Sequence, residues 1–408
     1  MKTDQLLIAF LARALAACSS GPGASLTPAS NRAAVSQPES RQATGSFTPL
    51  YSFKSVPDGA FPLTPLIYVN GTFYGTTSQG GAVTANGNGT AFTITPSGSE
   101  HVLYSFLGAP DGQFPQSGLT PIGTLLYGTT PNGGSTSNGT VYSVDSSGVE
   151  KVLYSFKGGR DGALPTGTLV NVNGTLYGTT SAGGGTDCNS GSGCGTVFKV
   201  DASGAEKVIY RFKGGDDGAT PAAGFILSNG RLYGTTYFGG DTTCSFRGCG
   251  TIFKVTTSGT ETVEYRFAGG HDGTNPSADL LAMDGKFYGT TSSGGSAGHG
   301  TVFEWHRKGH DLVLHQFKGQ ADGSDPEAGL IAVGATLYGT TYAGGKRGFG
   351  TVFSILPSGE ETVLYSFTNH DDGSNPSADL IAVGNVLYGT AKDGGTSGFG
   401  TVFSFLIQ

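Results

Sequence analysis

Charged residues, cysteine and tryptophan are scarce in this sequence, and it contains no long apolar segment. Only 13% of its 408 residues are charged, and the net charge is −7. This composition argues against nucleic acid as a partner, since proteins that bind nucleic acid present a basic face. After residue 20, no stretch has apolar residues at helical spacing, so the sequence does not predict helices there. A His-Glu-x-x-His motif and a phosphate-binding loop are also missing, which leaves those two kinds of chemistry without support.

What the sequence has instead is a repeat. Successive copies of its central motif are 53, 50, 56, 55, 50 and 50 residues apart. A period of this size is typical of a solenoid or a propeller. The motif is Tyr-Gly-Thr-Thr, and it begins at Tyr74, Tyr127, Tyr177, Tyr233, Tyr288, Tyr338 and Tyr388, the last copy ending in Ala391.

Each unit contains the same segments in the same order. An Asp-Gly-x-x-Pro motif precedes a short apolar run (strand A), the Tyr-Gly-Thr-Thr segment (strand B), a Gly-Gly loop, a Gly-Thr-Val-Phe segment (strand C) and a Leu-Tyr-Ser-Phe segment (strand D). The segments are rich in Val, Thr, Tyr and Phe and are bounded by turn residues, which is typical of strands joined by hairpins. Four strands per unit, repeated radially, predict an all-β fold, a seven-bladed β-propeller.

The two ends of the repeat region predict how the ring closes. The first recognisable segment is a strand D, at Leu50 to Phe53, and the last is a strand C, at Gly400 to Phe403. Paired with each other, they complete the seventh blade and protect the sheet edges that an open array would expose. A solenoid would need polar capping repeats instead, and neither end has one.

The combination of these motifs resembles a bacterial tandem repeat called GloVer (Gloeo/Verruco), and the resemblance covers roughly residues 47 to 408. Members of that family occur in predicted exported proteins, and the resemblance implies no particular activity. The placement of Gly-Gly and Tyr is similar, more weakly, to kelch propellers. Departures from the pattern are few, among them His315 in place of the strand D tyrosine and Ala391 in place of a threonine.

The N-terminal region indicates export. Residues 1–17 hold a short apolar run that suits a signal peptide, and Leu15 to Cys18 resembles a bacterial lipoprotein box, in which the cysteine carries the lipid. Residues 18–46 are rich in Ser, Pro, Ala and Gly and read as a flexible tether. Residues 47–408 form the propeller. We therefore expect a lipid-anchored protein of the bacterial cell envelope or surface, with lipidation at Cys18.

Four further cysteines lie in two neighbouring B–C loops: Cys188 and Cys194 in one, Cys244 and Cys249 in the next. Close pairs suit local disulfides in an oxidising compartment, although spacing alone leaves pairing between the loops open. A zinc site of all four cysteines is the alternative, but zinc pairs usually have two to four residues between ligands.

The predicted topology places the D–A connections and the B–C loops at one end of the blades, here called the top face. The B–C loops vary where the rest of the unit repeats, and aromatic and arginine residues on a rigid rim are typical of binding surfaces. The predicted ligand-binding residues are Tyr237, Phe238, Phe246, Arg247, Tyr342 and Arg347. We expect a non-enzymatic, monomeric module that binds a glycan or protein ligand and contacts the membrane through its lipid anchor alone.

The alternative is a carbohydrate-active hydrolase or lyase that uses acids in a top-face funnel. Asp279, Glu327 and Asp379 are its candidate acids, because each lies at the start of strand A, the innermost strand. The seven Asp-Gly turns are expected to be structural, since Asp bonds nearby backbone N–H groups and Gly takes positive φ. No cofactor is expected; calcium bound by those loops is the weaker alternative.

One hairpin departs from the repeat. The segment from Glu304 to His310 carries the only tryptophan and two of the seven histidines. With no clear third metal ligand beside them, we expect a solvated hairpin.

Overall fold

The structure is a computed structural model that describes residues 45–82, 87–185, 188, 191–240, 244, 247–307 and 310–407. The predicted signal peptide, the predicted lipidation site Cys18 and nearly all of the predicted tether lie outside these residues. Within the described part of the chain, no helix is long and apolar enough to cross a membrane.

The described residues form seven antiparallel sheets, each built from strands A, B, C and D in that order. The seven A strands are Ile67–Val69, Thr120–Ile122, Val170–Val172, Ile226–Ser228, Leu281–Met283, Ile331–Val333 and Ile381–Val383. The B strands are Thr72–Thr77, Leu125–Thr130, Thr175–Ala182, Arg231–Thr236, Lys286–Thr291, Thr336–Thr341 and Val386–Ala391. The C strands are Thr90–Ile94, Thr140–Asp145, Thr196–Val200, Thr251–Val255, Thr301–His306, Thr351–Ile355 and Thr401–Leu406. The D strands are Glu100–Ser105, Glu150–Ser155, Glu206–Arg211, Glu261–Arg266, His310–Gln316, Glu361–Ser366 and Ser46–Ser52. The seven-bladed propeller predicted from the repeat is confirmed.

Short elements in the D–A and B–C loops hold these loops together on the top face. Strand pairs join the two loops in the first two blades, and isolated bridges such as Ala219 with Phe238 do so in later ones. The short strands are Gly59–Ala60, Gln79–Gly80, Gly112–Gln113, Asn132–Gly133 and Ala163–Pro165, and three short 3₁₀ turns span Gly159–Asp161, Gly215–Asp217 and Gly270–Asp272.

The Tyr-Gly-Thr-Thr motif repeats because its glycine and its second threonine are fixed by packing. A Cβ on Gly75 would lie 2.7 Å from the Phe92 ring of strand C, so only glycine fits there. The second threonine donates or accepts a buried hydrogen bond with the first residue of strand C, as Thr77 does with Thr90 at 2.8 Å. Ala391 removes this bond in the seventh blade, where Thr401 instead donates to the Asp372 carbonyl at 3.2 Å.

The core lies between the blades rather than inside one central cluster. The phenylalanine after each strand D meets the aromatic residue of the next blade's strand C edge to face, with ring centroids 4.9 to 5.3 Å apart. Phe53 and Phe92 are one such pair, and both are fully buried. Each edge-to-face pair contributes about 0.5–1.5 kcal/mol beyond its buried area, so every blade depends on its neighbour.

The ring closes as predicted. Strand Ser46–Ser52 pairs antiparallel with Thr401–Leu406, with Tyr51 opposite Val402, and the Phe53 amide donates to the Gly400 carbonyl at 3.0 Å. Phe47 of the first strand stacks on Tyr365 of the sixth blade, with ring centroids 3.9 Å apart. The first and last segments of the propeller therefore share one sheet and bury aromatic surface together.

The expectation of a solvated hairpin at Glu304 to His310 is wrong for its described N-terminal half. Trp305 is fully buried and fills the position that Val255 or Ile355 takes in other blades. Glu304 is also buried, because it pairs with Lys286 Nζ at 3.0 Å and with His306 Nε2 at 2.5 Å. Both residues occupy regular strand C positions, with Trp305 opposite Phe287 and Glu304 opposite Tyr288, so the ordinary register of the blade carries Trp305 into the core.

Candidate binding site at the axial mouth

The aspartate of each Asp-Gly-x-x-Pro motif braces its own loop. Asp111 accepts hydrogen bonds from the Tyr104 hydroxyl (2.9 Å), the Leu107 amide (2.8 Å) and the Gly112 amide (2.6 Å). A strand D residue seven positions earlier makes the equivalent contact in every blade: Tyr51, Tyr104, Tyr154, Tyr210, Tyr265, His315 and Tyr365. The structural role expected for these turns is observed, while calcium binding by them stays a prediction.

A glutamate from the following blade completes several of these pairs. Glu100, at the start of the first blade's strand D, lies against Tyr51 and Asp58. Burial first, and then the nearby aspartate charge, raises the pKa of this carboxyl to about 7. We call these trios the girdle clusters, and four share this composition: Tyr51–Asp58–Glu100, Tyr104–Asp111–Glu150, Tyr154–Asp161–Glu206 and Tyr210–Asp217–Glu261.

A second shared site lies on the axis, at the top end of the A strands. A cavity of about 90 Å³ is lined by residues drawn from the three that follow the motif's proline in each blade. All seven blades contribute, and we call this cavity with its surrounding loops the axial mouth. Asp279, Glu327 and Asp379, the acids of the hydrolase hypothesis, all line it.

Two of the three acids are anchored by the neighbouring blade. The Gly224 amide donates to Asp279 Oδ1 at 2.5 Å, and the Gly329 amide donates to Asp379 Oδ1 at 2.6 Å. A Cβ on either glycine would lie 3.0 Å from the carboxylate Oδ2 atom, so glycine permits this approach. Within the described residues, neither Oδ2 atom accepts a hydrogen bond, which leaves these oxygens available to a ligand in the mouth.

Burial raises the pKa of all three carboxyl groups that line the mouth. Burial, together with the negative charge of Asp379, raises the pKa of Asp279, and burial raises the pKa of Asp379. Burial also raises the pKa of Glu327 to about 7, with Asp325 adding to the shift and Lys392 opposing it. Burial therefore favours the protonated form of all three carboxyl groups in the mouth.

Three larger side chains lie on the Glu327 side of this acidic region. Tyr237, Tyr342 and Lys392 follow the second position of the Thr-Thr pair, where the other blades have serine or proline. Burial first, and then the charges of Glu327 and Asp325, raises the pKa of Tyr237, so Tyr237 lies near Glu327. Lys392 Nζ lies 3.4 Å from the Tyr342 hydroxyl and 5.6 Å from that ring's centre.

The other predicted binding residues lie further out on the top face. The Arg247 guanidinium lies 5.3 Å above the Phe238 ring, and Phe238 contacts Tyr237 edge to face at 4.7 Å. Arg347 is exposed on the sixth B–C loop, and Phe246 lies outside the described residues. The structure thus places Tyr237 near Glu327 and Tyr342 against Lys392, whereas Arg347 makes no hydrogen bond or ion pair with either group among the described residues. Ligand binding by any of them stays a prediction.

The mouth also has a chemical asymmetry that the sequence interpretation missed. The residue before each motif proline has positive φ, between 54° and 61°. Its side chain is apolar on one side of the ring, at Phe61, Phe114 and Leu164, and polar on the other, at Asn275, Asp325 and Asn375. Aligning the units on the proline would have revealed this split. The split also has a consequence for the backbone, since asparagine and aspartate adopt positive φ more readily than phenylalanine and leucine.

The cysteines form local disulfides, Cys188 with Cys194 and Cys244 with Cys249. The Cα atoms of the pairs are 4.9 and 5.4 Å apart, which is ordinary for a disulfide. This resolves the pairing that spacing alone left open and disfavours the four-cysteine zinc site. Two disulfides indicate an oxidising extracellular or periplasmic compartment.

Comparisons with known proteins agree with this architecture. A family model described as the Gloeobacter/Verrucomicrobia repeat matches residues 37–246 and 242–408. No curated protein matches the chain. Among solved structures, the periplasmic gluconolactonase of Pseudomonas aeruginosa is 14% identical, with a TM-score of 0.51 over 82% of this chain and 96% of its own. A quinohemoprotein alcohol dehydrogenase from Pseudomonas putida is 10% identical, with a TM-score of 0.51 over 91% and 78%. Likeness at this identity concerns the fold alone.

Proposed function

This chain belongs to the Gloeobacter/Verrucomicrobia repeat family, and on that premise we propose that it is an exported, non-enzymatic binding propeller whose axial mouth takes a glycan. The observation that carries the proposal is convergence. Asp279, Glu327 and Asp379 differ from the residues at their positions in most other units, and they line the same cavity. Tyr237 and Tyr342 also differ from most other units; Tyr237 lies near Glu327, and Tyr342 contacts Lys392, whose charge acts on Glu327. Residues that differ from the repeat for unrelated reasons would be expected at scattered places around the ring.

The chemistry of the mouth suits a polyhydroxylated ligand. Carboxylate oxygens accept strong hydrogen bonds from hydroxyl groups, and tyrosine presents both an apolar ring and a polar end. The cavity of about 90 Å³ is well below the roughly 300 Å³ at which pockets begin to enclose a drug-sized ligand. A sugar would therefore lie over the mouth and insert one hydroxyl-bearing edge between the acids.

A glycan array tests this function with matched variants. Glu327→Gln combined with Tyr342→Ala should abolish the strongest glycan signals, because it removes an acceptor and a ring from the same side of the mouth. Gln116→Ala, at the position of Glu327 on the opposite side of the cavity, should leave them unchanged. A wild-type protein that binds no glycan, or equal losses in both variants, would contradict the proposal.

The hydrolase or lyase alternative is favoured by one specific observation. Asp279 and Asp379 face the same cavity, and each has a raised pKa, as expected of a carboxylic acid paired with a second carboxylate. Wild-type protein incubated with polysaccharides should then release new chain ends, and Asp279→Asn should abolish the release. Binding without any turnover leaves the binding module as the function.

The lipid anchor is the second part of the proposal, and it rests on the lipoprotein-like segment from Leu15 to Cys18. When the full chain is expressed in a bacterial host, Cys18→Ala should move the protein from the membrane fraction to the soluble fraction. An unprocessed N-terminus in mass spectrometry, or an unchanged membrane fraction, would count against the anchor and leave the glycan proposal standing.

A further inference from the structure

The interface between the fifth and sixth blades differs from the other girdle clusters in one residue. His315 occupies the strand D position that is tyrosine in the remaining blades, while the aspartate and glutamate positions keep Asp322 and Glu361. The proposed glycan site does not use this cluster, because it lies between outer strands and not at the axis.

The three side chains converge. His315 Nε2 lies 3.2 and 3.3 Å from the two carboxylate oxygens of Asp322. One donor atom from each of His315, Asp322 and Glu361 lies within 4.8 Å of the others. Glu361 Oε1 is buried and has no hydrogen-bond partner among the described residues. In the clusters with tyrosine, a phenolic hydroxyl donates to the aspartate; an imidazole instead brings a nitrogen that can donate an electron pair to a metal.

We propose that His315, Asp322 and Glu361 bind a zinc ion between the fifth and sixth blades. One imidazole nitrogen and two carboxylate oxygens are ligands that zinc accepts, and calcium would require six or more oxygens. Zinc ligands at about 2.0–2.2 Å from the metal lie roughly 3.3 Å from one another. The observed spacing therefore needs only small side-chain movements to close around the ion.

The surroundings leave room for a fourth ligand. The side chains of His315 and Asp322 are 15% and 17% exposed, and a shallow depression lined by His315, Gln316 and Lys318 opens beside them. Water can complete a tetrahedral site from that side. Lys318 also faces Glu361, and because its ammonium group opposes a cation, Lys318→Ala should tighten zinc binding.

The repeat supplies matched variants for the test. The untagged, full-length protein is stripped with a chelator and titrated with zinc chloride by calorimetry and by thermal unfolding. Wild type should bind one equivalent and unfold at a higher temperature with zinc. His315→Tyr, which recreates the trio of the other clusters, should fold as well as wild type without metal. It should lose at least about tenfold in affinity, since even residues that only support metal ligands contribute that much.

Two further variants make the result specific. Glu361→Gln should weaken zinc binding while preserving the shape of the side chain. Tyr154→His, beside Asp161 and Glu206, should create a second site with the same three ligand types. The proposal is overturned if wild type binds no zinc, or if His315→Tyr binds it with the wild-type affinity and stoichiometry.

Discussion

The girdle clusters and the axial mouth are made by the same seven units, yet the repeated residues recur at the girdle and vary at the mouth. At the girdle, a tyrosine and an aspartate recur in six blades, and a glutamate joins them in four clusters with little variation. At the mouth, the residue after the motif's proline is Leu, Gln, Thr, Ala, Ser, Glu or Ser in successive blades. Residues that hold neighbouring blades together are constrained at every interface. Residues at the axis make no such contacts in every blade, so they can vary to suit a ligand bound in the mouth.

The largest loss of stability is expected at the closing interface between the sixth and seventh blades, where the girdle cluster lacks its glutamate. At the closing interface, Phe47 takes the position of the glutamate and stacks on Tyr365. Deleting residues 47 to 53 removes this contact, the buried Phe53 and the pairing of the last strand C. We expect the cooperative thermal transition to be lost and the protein to aggregate through the exposed strand edge. Retention of the wild-type melting curve would show that closure adds little to the stability of the ring.

A single girdle residue should matter more than a single mouth residue. Asp111→Ala leaves the Tyr104 hydroxyl and two backbone amides without their acceptor, and we expect a loss of about 2–4 kcal/mol in the free energy of unfolding. At pH 5, where burial keeps the Glu327 carboxyl largely protonated, Glu327→Gln should change it by less than about 1 kcal/mol, because its carboxylate accepts no hydrogen bond from the described residues. Urea denaturation of both variants measures the difference, and equal effects would remove the distinction between the two regions.

The girdle also predicts a pH dependence of stability. Burial raises the pKa of Glu100, Glu150, Glu206 and Glu261 to about 7. The folded state then binds more protons than the unfolded state between roughly pH 4.5 and 7, so these groups stabilise the fold at low pH and lose that contribution as the pH rises through 7. We expect the melting temperature to decrease from pH 5 to pH 8.

Replacing these four glutamates by glutamine should flatten that profile, since glutamine does not ionise. Melting curves at pH 5, 6, 7 and 8 for wild type and the fourfold variant make the comparison. Glu327→Gln is the control from the mouth, and it should flatten the profile far less because it removes one such group. A wild-type profile that rises with pH would show that the girdle glutamates stay ionised in the folded protein.

The smallest change in stability is expected from exchanging the residues before the motif's proline on the two sides of the mouth. Phe114 has a φ of 56° and Asn375 a φ of 57° at equivalent positions. Because asparagine adopts positive φ more readily than phenylalanine, Phe114→Asn should stabilise the fold by up to about 1 kcal/mol. Asn375→Phe should destabilise it, also because Asn375 donates to the Tyr342 carbonyl at 3.0 Å. Destabilisation by Phe114→Asn would instead show that its ring packs usefully against the mouth.

The sequence alone determined the architecture and much of its chemistry. The period, the strand segments and the matching ends predicted seven blades and their closure, because strand pairing within a blade joins neighbours in the chain. Positional equivalence also placed Asp279, Glu327 and Asp379 near the axis, since each begins an innermost strand. It did not show that the glycines at 224 and 329 anchor two of these acids, because that contact joins separate blades.

The tertiary structure decided everything that depends on how one blade meets the next. It paired the cysteines locally, buried Trp305 in the core, and brought Glu361 to His315 and Asp322 across an interface. In the sequence, His315 was only a departure from a tyrosine. Its meaning changes when two carboxylates lie beside it, and that proximity is set by the rotation between blades and the direction of each side chain, neither of which a period along the chain encodes.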